Sequence, residues 1–210
     1  MLQVKTHCGG VLRLALAAAL ILLSAPLMAD EPPEHPNHMA QWLNDHSHEV
    51  MEGTLAAMLL VGDHETVDDA LTTFDGMAVS LAAAEGLKLV FNEPRPNDPS
   101  ATDGFPSSHA TASFAFACGI NDWRDDWGPY AYAFAAGVGW ARIDEGYHTP
   151  EQVLAGAALG LWIAGASMSN DGLVIRRGSN SSSLLERRDQ SAEVGKFEGG
   201  PSVVLWRGAW

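Results

Sequence analysis

The chain has 210 residues, 47% of them hydrophobic, and only 11 prolines, so it is long enough for one domain with a real core and too apolar to be largely disordered. Its 12 Lys and Arg stand against 26 Asp and Glu, a net charge of −14. Such a surface repels nucleic acid and anionic membrane surfaces, which argues against a nucleic-acid partner.

The first 29 residues have the layout of a secretory signal peptide. Lys5, His7 and Arg13 lead into an apolar run over 14–28, and Ala29 precedes the polar Asp30-Glu31-Pro32-Pro33. The expected destination is outside the cytoplasm, in a periplasm; an uncleaved N-terminal anchor is the alternative, although the run is short for a membrane span. Without that segment, 10 Lys and Arg remain against 26 acidic residues, or −16. Cys118 is then the one cysteine, so no internal disulfide can form, and its apolar surroundings read as a buried thiol. Between residues 30 and 175 the basic residues are Lys88, Arg95, Arg124 and Arg142.

Residues 30–37 read as a proline-rich lead into the body. Apolar spacing predicts helices over 38–51 and 66–91, with a short apolar piece at 54–61 between them. Residues 92–105, rich in Pro, Asn, Asp and Gly, read as a loop. After Pro106 a helix runs to about 120, a break follows at 121–128, and a further helix covers 130–142. Thr149 is a sound N-cap, Pro150 suits the first helical position and Gln152 completes a capping box, opening a helix to about 168. The expected fold is all-α: a bundle of five to six helices over residues 30–168, with a tail over 169–210. The apolar runs at 110–120, 129–141 and 153–168 fall short of a spanning helix and read as the core of a soluble bundle, with a membrane-embedded bundle as the alternative. In the tail, 173–176 and 202–206 read as short strands of a marginal hairpin, or as disorder.

Three segments carry the candidate chemistry. Lys88 and Arg95 lie seven residues apart, so near a helix C-terminus both can point the same way, two turns apart. Pro106-Ser107-Ser108-His109 opens a helix, whose free N–H groups and positive dipole end suit an anion. Arg142-Ile-Asp-Glu-Gly-Tyr-His148 ends where the last helix begins. Three cations can neutralise the oxygens of a transferring phosphoryl group, and two histidines can divide attack on phosphorus from protonation of the leaving oxygen. This chemistry requires no metal or other cofactor.

In their order and internal spacing these segments resemble the tripartite signature of the type 2 phosphatidic acid phosphatase and vanadium haloperoxidase superfamily, over roughly residues 55–168. The resemblance implies an α-helical bundle. It implies phosphate binding by Lys88, Arg95, Arg142, Ser107 and the amide region of Ser108, with His109 as general acid and His148 as a nucleophile that becomes a phosphohistidine. It also implies a phosphorylated small-molecule or lipid substrate. The sequence departs from the pattern at Ser108, where glycine is usual, at Ala141, where serine is usual, and at Gln152, where an Asp normally orients the nucleophile. Gln152 can accept a hydrogen bond but brings no charge. The runner-up functions are a non-catalytic phosphate- or lipid-binding protein and a vanadate-dependent haloperoxidase.

The remaining candidates are weaker. His46 and His48 have a spacing that could hold a metal, but a solvated face is the preferred reading. Trp123 and Trp127 are read as packing a helix end, with a peripheral membrane contact as the alternative.

Overall fold

A computed structural model describes residues 37–175. The signal peptide read over 1–29, the lead up to residue 36 and the tail from residue 176 onward lie outside the described residues. Five helices follow one another: α1 (His38–Val61), α2 (His64–Phe91), α3 (Ser108–Trp123), α4 (Gly128–Asp144) and α5 (Pro150–Ser169). No strand occurs among the described residues, so the fold is the all-α bundle that the periodicity predicts.

The first helix is longer than expected. The piece at 54–61 continues α1 without a break, and Asn37 caps its start by accepting a hydrogen bond from Met39 N–H at 3.2 Å. Gly53 costs a helix interior about 1 kcal/mol relative to alanine. Burial of Met51, Leu55 and Met58 along one stripe offsets that cost, and Gly53 itself lies on the exposed side.

Helix α3 is the axis of the bundle. Every residue from Ala110 to Ile120 is buried, including Phe114, Phe116 and Cys118, so this helix is enclosed on all sides. Helices α2, α4 and α5 pack around it, and α1 packs mainly on α4. Two glycines set the closest approach. A Cβ on Gly156 would come within 2.5 Å of the Ser107 carbonyl, and one on Gly160 would collide with the carbonyl of Thr111. The backbone of α5 therefore lies directly against the first turns of α3. The Ser107 N–H donates to the Gln152 carbonyl at 3.1 Å, which ties the starts of the two helices together.

With 20 residues, α5 is long and apolar enough to cross a membrane by length and composition. That corrects the expectation that its apolar run is too short. Its inner face packs on α3 and α2, and Trp162 stands 75% exposed on the outer face.

The segment read as a strand at 173–176 is, in its described part, a bend wrapped around Asp75 of α2. The N–H groups of Leu173, Val174 and Ile175 donate to that carboxylate at 2.6, 2.9 and 2.7 Å, and the Ser167 hydroxyl donates at 2.8 Å. Burial pushes the Asp75 carboxyl up, but these bonds prevail and hold it below the usual carboxylate range. The chain leaving α5 is thus pinned to α2 by one side chain. Asp75→Ala should lower unfolding stability by about 2–3 kcal/mol, since it strips charge-assisted bonds from three backbone donors at once. Denaturant unfolding measures this; an unchanged midpoint would mean the clamp contributes nothing.

Candidate active site

His148 sits in the loop just before α5, 3% exposed. Its Nδ1 lies 2.9 Å from the Gly104 carbonyl oxygen and 3.2 Å from Gln152 Oε1. A carbonyl oxygen can only accept, so Nδ1 carries the proton and donates. The lone pair of the neutral ring is then on Nε2. The amide of Gln152 is oriented by its other bonds: Oε1 also accepts from Thr149 N–H at 3.2 Å, and Nε2 donates to the Pro94 carbonyl at 3.2 Å and to Glu93 Oε2 at 3.3 Å. Gln152 closes the expected capping box with Thr149 and orients the histidine with the same oxygen. It brings no charge, but a carboxylate, Glu93, stands behind it.

Gly104 is held as tightly as it holds. Its N–H donates to the Glu93 carbonyl at 2.8 Å. A Cβ there would collide with the Pro94 carbonyl and reach 2.8 Å from Gln152 Nε2. Only glycine leaves room for the loop to offer its carbonyl to His148.

The cations arrive by different routes. Lys88 lies on the last turn of α2, its ammonium 2.8 Å from Glu85. Arg95 does not share that helix. Asn92 adopts the left-handed conformation (φ 49°, ψ 39°), ends α2, and turns the chain away, so the seven-residue spacing does not mark one helix face. Instead Arg95 sits in the following loop in a bidentate pair with Asp103, at 2.7 Å through Nε and 2.6 Å through Nη2. Arg142, on the last turn of α4, is 6% exposed, and its guanidinium carbon lies 4.0 Å from the centroid of the Tyr147 ring. Among the described residues no carboxylate stands within ion-pair distance of Arg142.

Ser107 is fully buried and caps α3, its hydroxyl accepting from Ala110 N–H at 3.5 Å. Ser108 starts the helix and donates its hydroxyl to Glu85 at 2.7 Å, so Glu85 bridges Ser108 and Lys88. His109 lies one residue further on, half-buried, with the His48 ring of α1 packed edge-on at 4.7 Å between centroids. His48 is exposed, as a solvated face requires, with its ring against His109, whereas His46 stacks on Trp42 and faces its carbonyl. Among the described residues no group of three or more His, Cys, Asp or Glu is spaced to hold a metal ion. Trp123, stacked by Arg124 at 5.3 Å, lies at the opposite end of α3 from His109 and takes no part here.

Electrostatics tie the cluster together. Burial pushes His109 down to about 3, helped by the nearby charges of Arg142, His48, His148 and Lys88. Burial and Arg142 push His148 down to about 4, against the upward pull of its bonds to Gly104 and Gln152. Arg142 itself is lowered to about 10, by burial first and then by Arg95, and stays charged at neutral pH. Both histidines are thus neutral in the folded protein, whereas in the unfolded chain they protonate near 6.5. Their folded values are depressed, so stability is highest above about pH 6.5 and falls as the pH drops toward about 4. The cost is about 1.4 kcal/mol per pH unit for each group, or about 2 kcal/mol from His148 alone between pH 7 and 5. Urea unfolding at those two pH values, with His148→Ala as the comparison, would expose a flat profile if the ring titrates normally.

The residues that sequence reasoning missed are Gly104, Glu93, Asp103, Glu85 and Asn44, and His48 was weighed only as a metal ligand. Asn44 accepts from Arg142 Nη1 at 3.2 Å across 98 positions of sequence. Gly104 carried only a turn signal, and the others are common residue types with no local pattern.

Comparison with known proteins fits this geometry. Neither the curated proteins nor the solved structures give a match. The model of the PAP2 superfamily matches residues 70–172, a span that takes in Lys88, Arg95, Ser107, Ser108, His109, Arg142, His148 and Gln152 and leaves out Asn44 and His48. Residues 70–172 are thus similar to the PAP2 superfamily, a similarity that supports phosphatase-type activity in general.

Proposed function

We propose that the protein is a metal-independent phosphatase that hydrolyses a phosphomonoester or a lipid diphosphate through a phosphohistidine on His148. The observation that carries this reading is the hydrogen bonding of His148: Nδ1–H is engaged by Gly104 and Gln152, which leaves the Nε2 lone pair as the nucleophile.

In the first step Nε2 attacks phosphorus, the bond from phosphorus to the leaving oxygen breaks, and that oxygen takes a proton from His109. Lys88, Arg95 and Arg142 stabilise the charge on the remaining oxygens, with the free N–H groups at the start of α3. In the second step water attacks the phosphohistidine, His109 accepts its proton, and the N–P bond breaks to return the lone pair to Nε2. Phosphate leaves. The low value of His109 gives the substrate a further role. Its negative charge must offset Arg142 and the other nearby charges before His109 can hold the proton that it donates.

The lipid alternative draws on one specific feature. An apolar cleft of about 800 Å³ between α1, α3 and α4 is lined by Val50, Met58, Phe116, Ile120 and Phe134. Phe116 lies seven residues along α3 from His109, about 10 Å by helical rise, so an acyl or prenyl chain is a reasonable occupant. The apolar run at 14–28 supports a setting outside the cytoplasm.

Turnover of p-nitrophenyl phosphate in excess EDTA, with competitive inhibition by orthovanadate, tests the reading. Binding without turnover would favour the non-catalytic alternative, and activity lost to EDTA and restored by a divalent ion would replace the mechanism. Bromide oxidation by peroxide with vanadate tests the haloperoxidase alternative, and a series of phosphorylated lipids of increasing chain length separates lipid from soluble substrates.

A further inference from the structure

We propose that Asn44 is a positioning residue for Arg142, holding the guanidinium apart from Glu145 so that its charge stays available to the phosphate. The inference rests on the phosphatase reading for its functional meaning, and on geometry alone for its structural content.

Arg142 and Glu145 lie three residues apart at the end of α4, a spacing at which side chains on a helix meet. Both have unmet capacity in buried surroundings. Arg142 Nε and Glu145 Oε1 are buried and make no hydrogen bond among the described residues. Left to themselves, a buried guanidinium and a buried carboxylate at this spacing would pair.

The amide of Asn44, reaching from α1, occupies the gap between them. Its Oδ1 accepts from Arg142 Nη1 at 3.2 Å, while its Nδ2 donates to Glu145 Oε2 and, at 3.5 Å, to the Ala141 carbonyl. The opposite orientation of the amide would set NH₂ against the guanidinium and oxygen against the carboxylate, so the partners fix its direction. An asparagine suits the task because one side chain carries an acceptor for the cation and a donor for the anion.

The contrast with the other two cations gives this spacing its consequence. Lys88 and Arg95 are each paired with a carboxylate, Glu85 and Asp103, and an incoming phosphate has to compete for them. Arg142, held by a neutral amide and an aromatic face, meets no such competitor. It is also the cation that acts on both His109 and His148. The residue that keeps it free comes from α1, outside the span that matches the family.

The test compares wild type, Asn44→Ala, Glu145→Gln and the double variant, reading the Ki of orthovanadate together with KM and kcat. Asn44→Ala should raise the vanadate Ki about 10-fold as Glu145 closes on Arg142. Glu145→Gln alone should bind vanadate no more weakly than wild type. In the double variant no carboxylate is left to capture the arginine, and the Ki should return to within about 3-fold of wild type. Failure of the second substitution to restore binding would reduce Asn44 to a packing contact and overturn the proposal. If Asn44→Ala folds poorly, Asn44→Ser serves, since a hydroxyl is too short to span both groups. A crystal structure of either variant provides a readout that does not depend on activity. Arg142 and Glu145 within 4 Å of each other is the expected result, and a guanidinium still apart from the carboxylate overturns the spacing role. Should the wild-type protein bind no vanadate and turn over no phosphate ester, the phosphatase reading fails, and the crystal structure still decides whether Asn44 separates the pair.

Discussion

His148→Ala is expected to lower kcat by roughly 10⁴-fold or more, because the covalent route has no second nucleophile placed to take its part. Every hydrogen bond described for the ring uses Nδ1, so the loss should come from the missing Nε2 rather than from a broken scaffold. The substitution does leave the Gly104 carbonyl and one contact of Gln152 Oε1 without a partner in a buried site. A stability loss of about 1–3 kcal/mol is therefore expected as well. Folding has to be checked beside activity, and orthovanadate binding supplies that check, since Lys88, Arg95 and Arg142 remain. A folded His148→Ala protein that binds vanadate and still turns over substrate within about tenfold of wild type would remove the nucleophile assignment.

What could be read from the sequence, and what could not, divides along a physical line. Helix starts were legible because their signals are local: Thr149, Pro150 and Gln152 stand within four positions, and Ser107 directly precedes α3. The enclosure of α3 was legible from an unbroken run of small and apolar residues. Groups that act through the backbone were not. The Gly104 carbonyl orients His148, yet a carbonyl has no residue code, and the glycine that frees it looks like any loop glycine. Long-range side-chain partners were also hidden: Asn44 reaches Arg142 across the bundle, and His48 meets His109 from the same helix. Spacing misled at Arg95, because one left-handed residue at Asn92 ends the helix that the seven-residue interval presupposes. The reading of 173–176 as a short strand also failed in its described part, where the carboxylate of Asp75 gathers the backbone N–H groups of 173–175 instead.

His109→Ala should separate two kinds of substrate. A general acid contributes about 10²–10⁴ in rate by protonating the departing oxygen. An alkoxide leaves poorly without that proton, whereas p-nitrophenolate leaves as a stable anion. In kcat/KM the variant should therefore lose about 10²–10⁴ on an alkyl phosphate and less than about tenfold on p-nitrophenyl phosphate. The ratio kcat/KM is the right quantity because it reports only the steps through release of the leaving group. The later attack of water also needs His109, now as a base, so on the aryl substrate kcat should fall while an initial burst of nitrophenolate appears. His148→Ala should be equally inactive on both substrates, with no burst. The position of His109 motivates the assignment: it lies on the first turn of α3, half-buried beside His48 and under the influence of Arg142 and His148. Its depressed value of about 3 leaves it unprotonated in the free protein, so under the proposed mechanism a dianionic ester is expected to raise it. Adding phosphate or vanadate should accordingly move the His109 titration upward, as read by NMR of its ring protons. Equal losses on the two substrates, or a titration that ignores the bound anion, would withdraw the general-acid role and leave His109 as a phosphate-binding or structural residue.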